Sequence, residues 1–463
     1  MKPEQAERGR WRGVLLAAGA SVLAAACSGT APDSRVAAVA SMAPESWNAS
    51  REARAGIDQD WIRRFGDSQL TALADEAVAN NPDLRVAAER IRRAEALARQ
   101  SGAPGRPQVS GQVSGQKQQT NFAGLPFGGG SLITESYGAS LDVNWELDVW
   151  GRVRSSQSAA LGDLQAQEFD YKAARVSLVA QVAKAWFALG EANDQIRLAE
   201  DALQTRSKVA EAFVERFERA IDDGGGTASQ VRLAKTDVES SRATLAFWQG
   251  ERERALRQIE LLVGRYPSGK RFTSRGLPTA PSKPPAGLPS ELLKRRPDVL
   301  AAERRFAASG KRVEEARLAF YPSFRLTGSR GSTTDDLGQV LDSSFGIWSF
   351  GAGVVQPIFN GGQLREERVI AESDERIALG ELQQTVLQAF GEVEQALVAE
   401  EYFAKREKAV AESSELADAA AESAVTDFAD GAVDALTLLR ALDRKIQTAL
   451  SLAEIRRRRL ENR

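Results

Sequence analysis

The chain has 463 residues and a near-neutral charge, with 61 basic against 63 acidic residues, which gives no basic footprint for nucleic acid. It contains no histidine, and Cys27 is its single cysteine. Histidine-based catalytic triads, Cys/His zinc sites, disulfides within the chain and histidine-assisted thiol catalysis are therefore excluded. The remaining carboxylates, lysines and serines form no recognisable catalytic pattern, so we expect no enzyme, no metal site and no cofactor.

The amino-terminal 26 residues predict a secretory signal peptide. Three arginines precede an apolar run, residues 14–26, that is too short to span a membrane as a stable helix. The run ends directly before Cys27 and resembles a bacterial lipoprotein signal, although Ala24 stands where leucine is usual. We expect cleavage before Cys27 and lipidation of its thiol; an ordinary signal peptide with an unmodified cysteine is the alternative. Residues 27–60 would form an extended lipidated arm.

The rest of the chain contains an internal repeat. Residues 81–90, NPDLRVAAER, return as residues 296–305, RPDVLAAERR, and each copy is followed by two strand-like runs and a long stretch without proline. An interior proline costs a helix about 3 kcal/mol, so the proline-free windows 127–266 and 358–463 can hold uninterrupted helices. We predict long helices at about 151–217 and 361–427, with returning helices at about 228–263 and 434–460.

Strand-like alternation is clearest from residue 137 to residue 149. Apolar side chains there alternate with a polar set that would face a water-filled pore, consisting of Asp142, Asn144, Glu146 and Asp148. A half-buried strand of a soluble protein would also alternate, but thirteen residues is long for one, and apolar-out with acidic-in is what a channel wall requires. The second copy repeats the pattern more weakly. We predict strand hairpins at about 107–149 and 322–358.

Four strands per chain determine the expected assembly. An open sheet edge inside a membrane leaves backbone groups unpaired, so a membrane sheet must close. Four strands are too few to close a barrel, because even eight only just enclose packed side chains. We therefore predict a mixed α and β membrane fold, in which several chains share one transmembrane β-barrel and their long helices continue it as a tube.

Two strand-to-helix junctions, residues 145–152 (WELDVWGR) and 356–362 (QPIFNGG), together with residues 81–84 and 295–299, resemble the outer membrane efflux protein family. Within it, the likeness is to the lipoprotein branch that serves resistance-nodulation-division pumps. The resemblance implies a homotrimer with a twelve-strand barrel above a periplasmic helical tunnel. The repeats would span residues 61–266 and 290–463, joined by an equatorial linker at 267–289.

The function implied by this resemblance is the outer-membrane exit duct of a tripartite efflux pump, passing small molecules from the periplasm to the exterior. Its partners would be a periplasmic adaptor protein and an inner-membrane transporter. One alternative is the outer-membrane duct of a type I protein secretion system, which shares the fold. An alternative from another class is a periplasmic coiled-coil adaptor or a structural lipoprotein, but the two helical hairpins and the alternating strands favour the channel.

In this family the tunnel closes at the turns between each long helix and its returning partner. The second turn supplies the gate candidates Phe428, Asp430, Asp434 and Arg440. Arg440 stands where the family often carries an aspartate, so the gate would be less cation-selective, or the two aspartates would form the acidic ring. Solvated helix-tip charges are an equally weighted alternative. Candidates for adaptor contact at the tips are Asp222, Asp223, Gly224, Gly225, Gly226 and Gly431. The arginine run 456–459 is interpreted as a solvated helix end.

Overall fold

The computed structural model describes residues 35, 39, 41, 43–44, 46–48, 61–122, 130–223, 227–269, 272, 276–283, 287 and 289–463. The predicted signal peptide, Cys27 and Gly224 to Gly226 lie outside the described residues. The chain divides into two units, Met1–Glu45 and Ser46–Arg463, and every element below belongs to the second unit.

Four strands form one antiparallel sheet in the order β1-β2-β3-β4. Their bounds are Gln108–Phe122 (β1), Gly130–Leu147 (β2), Ser323–Thr334 (β3) and Gly346–Val355 (β4). The first and second hairpins are joined by pairing between β2 and β3, for example Asn144 with Thr327. β1 and β4 are the two edge strands of the sheet, and the outer edge of each has no strand partner among the described residues of the chain.

The register separates the sheet into an apolar and a polar face. Residues directly opposite each other on antiparallel strands share a face. Val143 lies opposite Val109 on β1 and Gly328 on β3, which in turn lies opposite Phe350 on β4. Large apolar side chains on this face are exposed; they are Val109, Val113, Leu141, Val143, Trp348, Phe350 and Val354. This face therefore has the composition expected of a surface in contact with lipid.

Eight α-helices make up most of the rest of residues 61–463 that the structure describes. Their bounds are Ser68–Asn80 (α1), Pro82–Ser101 (α2), Arg152–Asp223 (α3), Ala228–Leu262 (α4), Pro289–Arg295 (α5), Pro297–Leu318 (α6), Gln363–Ala429 (α7) and Ala435–Asn462 (α8). At 1.5 Å per residue, the 72 residues of α3 and the 67 of α7 extend about 108 and 100 Å. Among the described residues, no helix combines the length and apolarity needed to cross a bilayer.

The long helices α3 and α7 each run past two sets of partners. Near the sheet, α3 contacts α2 and α6, and α6 contacts α7, with an ion pair from Arg312 on α6 to Asp163 on α3. Further along, α3 contacts α4 and α8, and α8 contacts α7. Each level is thus a row of four helices, α2-α3-α6-α7 and α4-α3-α8-α7. The ends of both rows, like the ends of the sheet, lack an extensive partner within the described chain.

An extensive apolar core lies where α1, α3, α4 and the end of α8 meet. Trp186, Phe187 and Val182 of α3 pack there with apolar residues of the other helices, including Leu70, Ile259 and Leu460. The indole Nε1 of Trp186 donates a 2.7 Å hydrogen bond to Asp67, whose other carboxylate oxygen caps α1. This core lies at the position along α3 where its partners change from the helices of the first row to those of the second.

The repeated NPD-like motif has a local structural reason. Asn81 caps α2 by accepting hydrogen bonds from the amides of Asp83, at 2.8 Å, and Leu84, at 3.2 Å. Its side-chain amide donates to the Leu262 carbonyl at 2.9 Å, so the same residue joins α2 to the end of α4. In the second copy Arg296 replaces it and pairs instead with Asp298 and Glu392. The repeat therefore keeps the proline at the helix start while changing the capping chemistry.

Candidate functional site

The polar face of the sheet brings together three of the four predicted pore-facing residues. Asp142, Asn144 and Glu146 alternate along β2 and share one face with Ser329, Thr327 and Arg325, which lie opposite them on β3. The Ser140 hydroxyl donates a 2.8 Å hydrogen bond to Asp142. Polar and charged groups thus line one face of the same strands whose other face is apolar, which is the arrangement of a wall between water and lipid.

Asp148 does not belong to that face, and the prediction that placed it there was wrong. β2 ends at Leu147, and the Asp148 carboxylate turns to the first turn of α3. It accepts hydrogen bonds from the backbone amides of Val153, at 3.0 Å, and Arg154, at 2.9 Å. Because the first amides of a helix have no partners within it, Asp148 acts as a cap that fixes the strand-to-helix junction. Glu146 reinforces the junction with a 2.7 Å ion pair to Arg152.

The turn between α7 and α8 is defined by backbone geometry and one cap. α7 ends at Ala429 and Asp430 follows as its C-cap, while Gly431 has φ of 76°, which favours glycine. Asp434 caps α8 by accepting a 2.8 Å hydrogen bond from the amide of Thr437. Hydrogen bonds from Thr437 lower the pKa of Asp434, with a small further contribution from the charge of Arg440.

Phe428, the first gate candidate, packs against α3. Its ring lies 5.3 Å from that of Phe213 in an edge-on arrangement, and the Arg216 guanidinium lies 5.2 Å from its centroid. Two small apolar clusters surround it, formed by Ala210, Phe213, Ala234, Ala435 and Leu439 on one side and by Ala421, Ala424, Leu438 and Leu442 on the other. The end of α7 is therefore held against the α3–α4 hairpin by an aromatic contact.

Arg206 is a residue at this end of the molecule that sequence reasoning missed. Its side chain is only 12% exposed. One guanidinium nitrogen donates to the Asp237 carbonyl at 3.2 Å and to the Ser241 hydroxyl at 2.9 Å on α4, and the other forms an ion pair with Asp443 on α8. Arg206 thus joins α3, α4 and α8. An arginine within the apolar seam of a predicted long helix is the signal that could have identified it.

The tip of the first copy differs from the prediction. α3 continues to Asp223 rather than ending near residue 217, so Asp222 and Asp223 are the last residues of the helix and not part of the turn. Thr227 begins α4 with a reciprocal cap, in which its hydroxyl accepts from the Gln230 amide and its own amide donates to the Gln230 side chain at 3.1 Å. Only residues 224–226 separate that cap from α3.

The arginine run at the end of α8 is a solvated helix end only in part, because Arg456 and Arg458 are about half exposed, whereas Arg457 and Arg459 are largely buried against other helices. Arg457 forms a 2.5 Å ion pair with Glu191 on α3. Arg459 pairs on the opposite side with Glu400, at 2.9 Å, and Glu407, at 2.8 Å, on α7. Burial raises the pKa of Glu191, and Arg457 opposes that effect. The run therefore anchors the sheet-proximal end of α8 to both long helices.

Comparison with known proteins identifies the fold. The family model of outer membrane efflux proteins matches residues 73–265 and 288–463. The cation efflux system protein CusC of Escherichia coli O6:H1 is 32% identical over 340 residues, covering 73% of this chain and 71% of CusC. The solvent efflux pump outer membrane protein SrpC of Pseudomonas putida is 33% identical over 357 residues, covering 76% and 74% of the two chains.

A solved structure agrees with these relatives. The outer-membrane channel OprN superposes with a TM-score of 0.84 at 28% identity, covering 94% of this chain and 96% of OprN. The four-stranded sheet and the paired long helices therefore have a counterpart in a known channel. The chain belongs to the outer membrane efflux protein family and is an outer-membrane channel protein of an efflux system.

Proposed function

We propose that three copies of this chain form one continuous duct, in which twelve strands, four from each copy, close a barrel and the long helices close a periplasmic tube. The observation that supports this most strongly is the sheet itself. β1 and β4 are the two edge strands, and both carry exposed apolar side chains on the same face of the sheet. In a membrane each unpaired backbone group costs several kcal/mol, so pairing of β4 with β1 of the next copy removes a large penalty.

The helical part supports the same closure independently. α7 stands at one end of both helix rows, and its exposed apolar side chains are distributed along its whole length. They are Val369, Ile370, Ile377, Leu387, Val398, Tyr402, Leu416 and Val425. The opposite ends of the rows, α2 and α4, also expose Val86, Leu97, Leu233, Phe247 and Leu261. A neighbouring copy that buries these edges would gain about 25 cal/mol per Å² of apolar surface removed from water.

The gate of this duct would be the turn between α7 and α8. Phe428 contacts α3 through an aromatic pair, while Asp430, Asp434 and Arg440 lie at or close to the helix ends. Three symmetry-related copies would place rings of these charges around the axis, where they act on permeating ions. Opening would require α8 to separate from the α3–α4 hairpin, and the ion pair between Arg206 and Asp443 opposes that separation.

The partners would be a periplasmic adaptor protein at the tips and an inner-membrane transporter of the resistance-nodulation-division type. Asp222, Asp223, the adjoining glycines 224–226 and Gly431 are the proposed adaptor contacts. The cargo would be small solutes. Because relatives of this one family are named for the efflux of cargo as different as cations and solvents, we expect the transporter rather than the channel to select it. Lipidation of Cys27 would add an anchor to the barrel.

Efflux by a reconstituted pump tests this proposal. A strain that lacks its own outer-membrane channels would receive the chain together with a periplasmic adaptor and an inner-membrane transporter of the resistance-nodulation-division type. We expect restored tolerance to a pump substrate, and an oligomeric species in gels of unboiled membranes that boiling converts to the monomer. A folded, membrane-inserted chain that restores no tolerance, or that migrates as a monomer before boiling, would contradict the proposal.

A further inference from the structure

The apolar face of the sheet carries one charge without a partner in the described structure. Arg330 on β3 lies directly opposite Leu141 on β2 and Trp348 on β4, so it shares their face. Leu141 and Trp348 are 61% and 80% exposed. Arg330 is itself exposed and makes no hydrogen bond or ion pair with any residue that the structure describes. A cation in contact with lipid is unfavourable unless it meets an anion or the aqueous interface.

No described carboxylate is paired with Arg330, and the three aspartates of the loop that follows β3 take local hydrogen bonds instead: Asp335 with Thr334, Asp336 with Gly338 and Asp342 with Ser344. The nearest acidic residue along the same face of β2 is Glu135, which is already paired with Lys117 at 2.5 Å. Glu135 also lies six residues beyond Leu141, about 20 Å along the strand. Asp142 belongs to the opposite, polar face. In the proposed barrel, β1 of the neighbouring copy would lie two strand spacings, about 10 Å, from β3, but β1 contains no carboxylate.

The depth of Arg330 places it toward the outer surface. It follows Phe324, at the helix-proximal end of the apolar band, by six residues on β3. Strands tilted by about 40° rise about 15 Å over that distance, within a band about 25 Å tall. The flexible arginine side chain can span much of the remaining distance to the headgroup level. Trp348 beside it fits the same level, where tryptophan is enriched.

We propose that Arg330 and Trp348 form a binding site for a phosphate group of the outer-leaflet lipid, the phosphorylated glucosamine of lipid A. The arginine fork binds phosphate oxygens in pairs, and the indole packs on the adjoining acyl region. This inference rests on the proposed duct, in which the helices lie in the periplasm and the hairpin tips therefore face outward. It assigns a lipid contact to the second repeat alone, since Lys117 in the first repeat is already neutralised by Glu135.

Native mass spectrometry of the purified, assembled protein tests the site, with bis-phosphorylated lipid A as the probe. We expect Arg330→Gln to weaken lipid A binding about tenfold, the loss of one charge-assisted contact. Arg330→Lys should retain an intermediate affinity. The matched control is Arg325→Gln, which removes the same side chain from the other face of the same strand and should leave lipid A binding unchanged.

Two further probes separate the possible sources of the signal. Dephosphorylated lipid A should bind the wild-type protein as weakly as bis-phosphorylated lipid A binds Arg330→Gln. Inorganic phosphate at millimolar concentration should not displace the lipid. Equal lipid A affinity in the wild type and Arg330→Gln would overturn the proposal, and so would complete displacement by inorganic phosphate, which would indicate a site for soluble anions.

Loss of lipid binding can be distinguished from an assembly defect in the variants, and failure of the lipid site can be distinguished from failure of the proposed duct. If Arg330→Gln does not assemble, the comparison of phosphorylated with dephosphorylated lipid A on the wild type and on Arg330→Lys still decides the outcome. Channel conductance reports on the duct and not on the lipid. Phosphate-independent binding by a conducting protein would therefore contradict the lipid site alone, whereas phosphate-dependent binding by a non-conducting protein would support the site and count against the duct.

Discussion

Arg206 joins three helices near the proposed gate through one guanidinium group. Replacement by glutamine in Arg206→Gln would remove its ion pair with Asp443 and weaken its contacts to α4. Because Asp443 is 55% exposed, solvent screens that pair, and we expect a total loss of about 1–2 kcal/mol from the closed state. The expected result is a several-fold higher conductance in planar bilayers.

Arg242→Gln is the matched control for this prediction. Arg242 lies on α4 and pairs with Glu239 at 2.6 Å, but both side chains are more than 60% exposed. Its replacement should leave conductance at the wild-type level. Equal conductance in Arg206→Gln and Arg242→Gln would show that the Arg206 contacts do not hold the gate closed.

Asp434 gives the gate turn a defined pH dependence. Thr437 lowers the pKa of Asp434 from its usual 3.8. The stabilisation from this cap is therefore fully present above the usual pKa and is lost as the pH falls through the lowered one. In Asp434→Ala, the Thr437 amide should exchange its hydrogen faster than in the wild type at pH 7. The difference should disappear in acid, below the lowered pKa.

The control for the cap is Asp430→Ala at the other end of the same turn. The Asp430 side chain accepts no hydrogen bond from the described residues, and its backbone amide bonds to Thr426. Exchange in the first turn of α8 should be unaffected by this change. Faster Thr437 exchange in both variants would indicate a general loosening of the turn rather than loss of a cap.

At the scale of elements, the anchored end of α8 determines how that helix can move. Glu400 is only 8% exposed and holds both Arg459 and Arg463. Glu400→Gln would leave the buried Arg463 charge without its carboxylate, a change that costs about 3–5 kcal/mol, whereas Arg459 would keep its ion pair with Glu407. We expect a clearly lower temperature of heat dissociation in detergent. Glu401→Gln, which removes an exposed pair with Lys405, should change it little.

The elements also show how far the sequence could predict the fold. The alternation in β2 can be recognised in the sequence, because a strand with one apolar and one polar face shows this pattern in consecutive residues. β1 was not readable alone, since its serines, glycines and glutamines become a strand only through their register with β2. The sequence places the end of α3 six residues too early, because the charged residues from Glu218 to Asp223 resemble a turn. None of these residues is a strong helix breaker, and the helix continues through them.

The missed contacts share one physical cause. Arg206, Arg457 and Arg459 are ordinary surface residues by composition, and only the tertiary packing of α8 between α3 and α7 places carboxylates opposite them. In the sequence, Asp148 continues the alternation of polar and apolar residues in β2. In the structure, the chain has already left the strand at that point and begins α3. Patterns with a local period were therefore predictable, whereas pairings across distant segments were not.

At the scale of the whole molecule, the exposed edge of α7 should be an interface. Leu416 is 68% exposed in the isolated chain. Leu416→Glu would place a charge where the next copy packs, and we expect loss of the oligomeric band from unboiled gels. Leu341→Glu is the control, because Leu341 is 93% exposed in the loop between β3 and β4, away from the helix edges. An intact oligomer in Leu416→Glu would exclude this part of α7 from the interface.

Electron cryomicroscopy of the detergent-purified protein tests the continuous duct most directly. We expect a single three-fold symmetric particle in which β4 of each copy pairs with β1 of the next, and in which α7 contacts α2 and α4 of its neighbour. A particle with another number of copies, or one in which β1 and β4 remain unpaired, would contradict it.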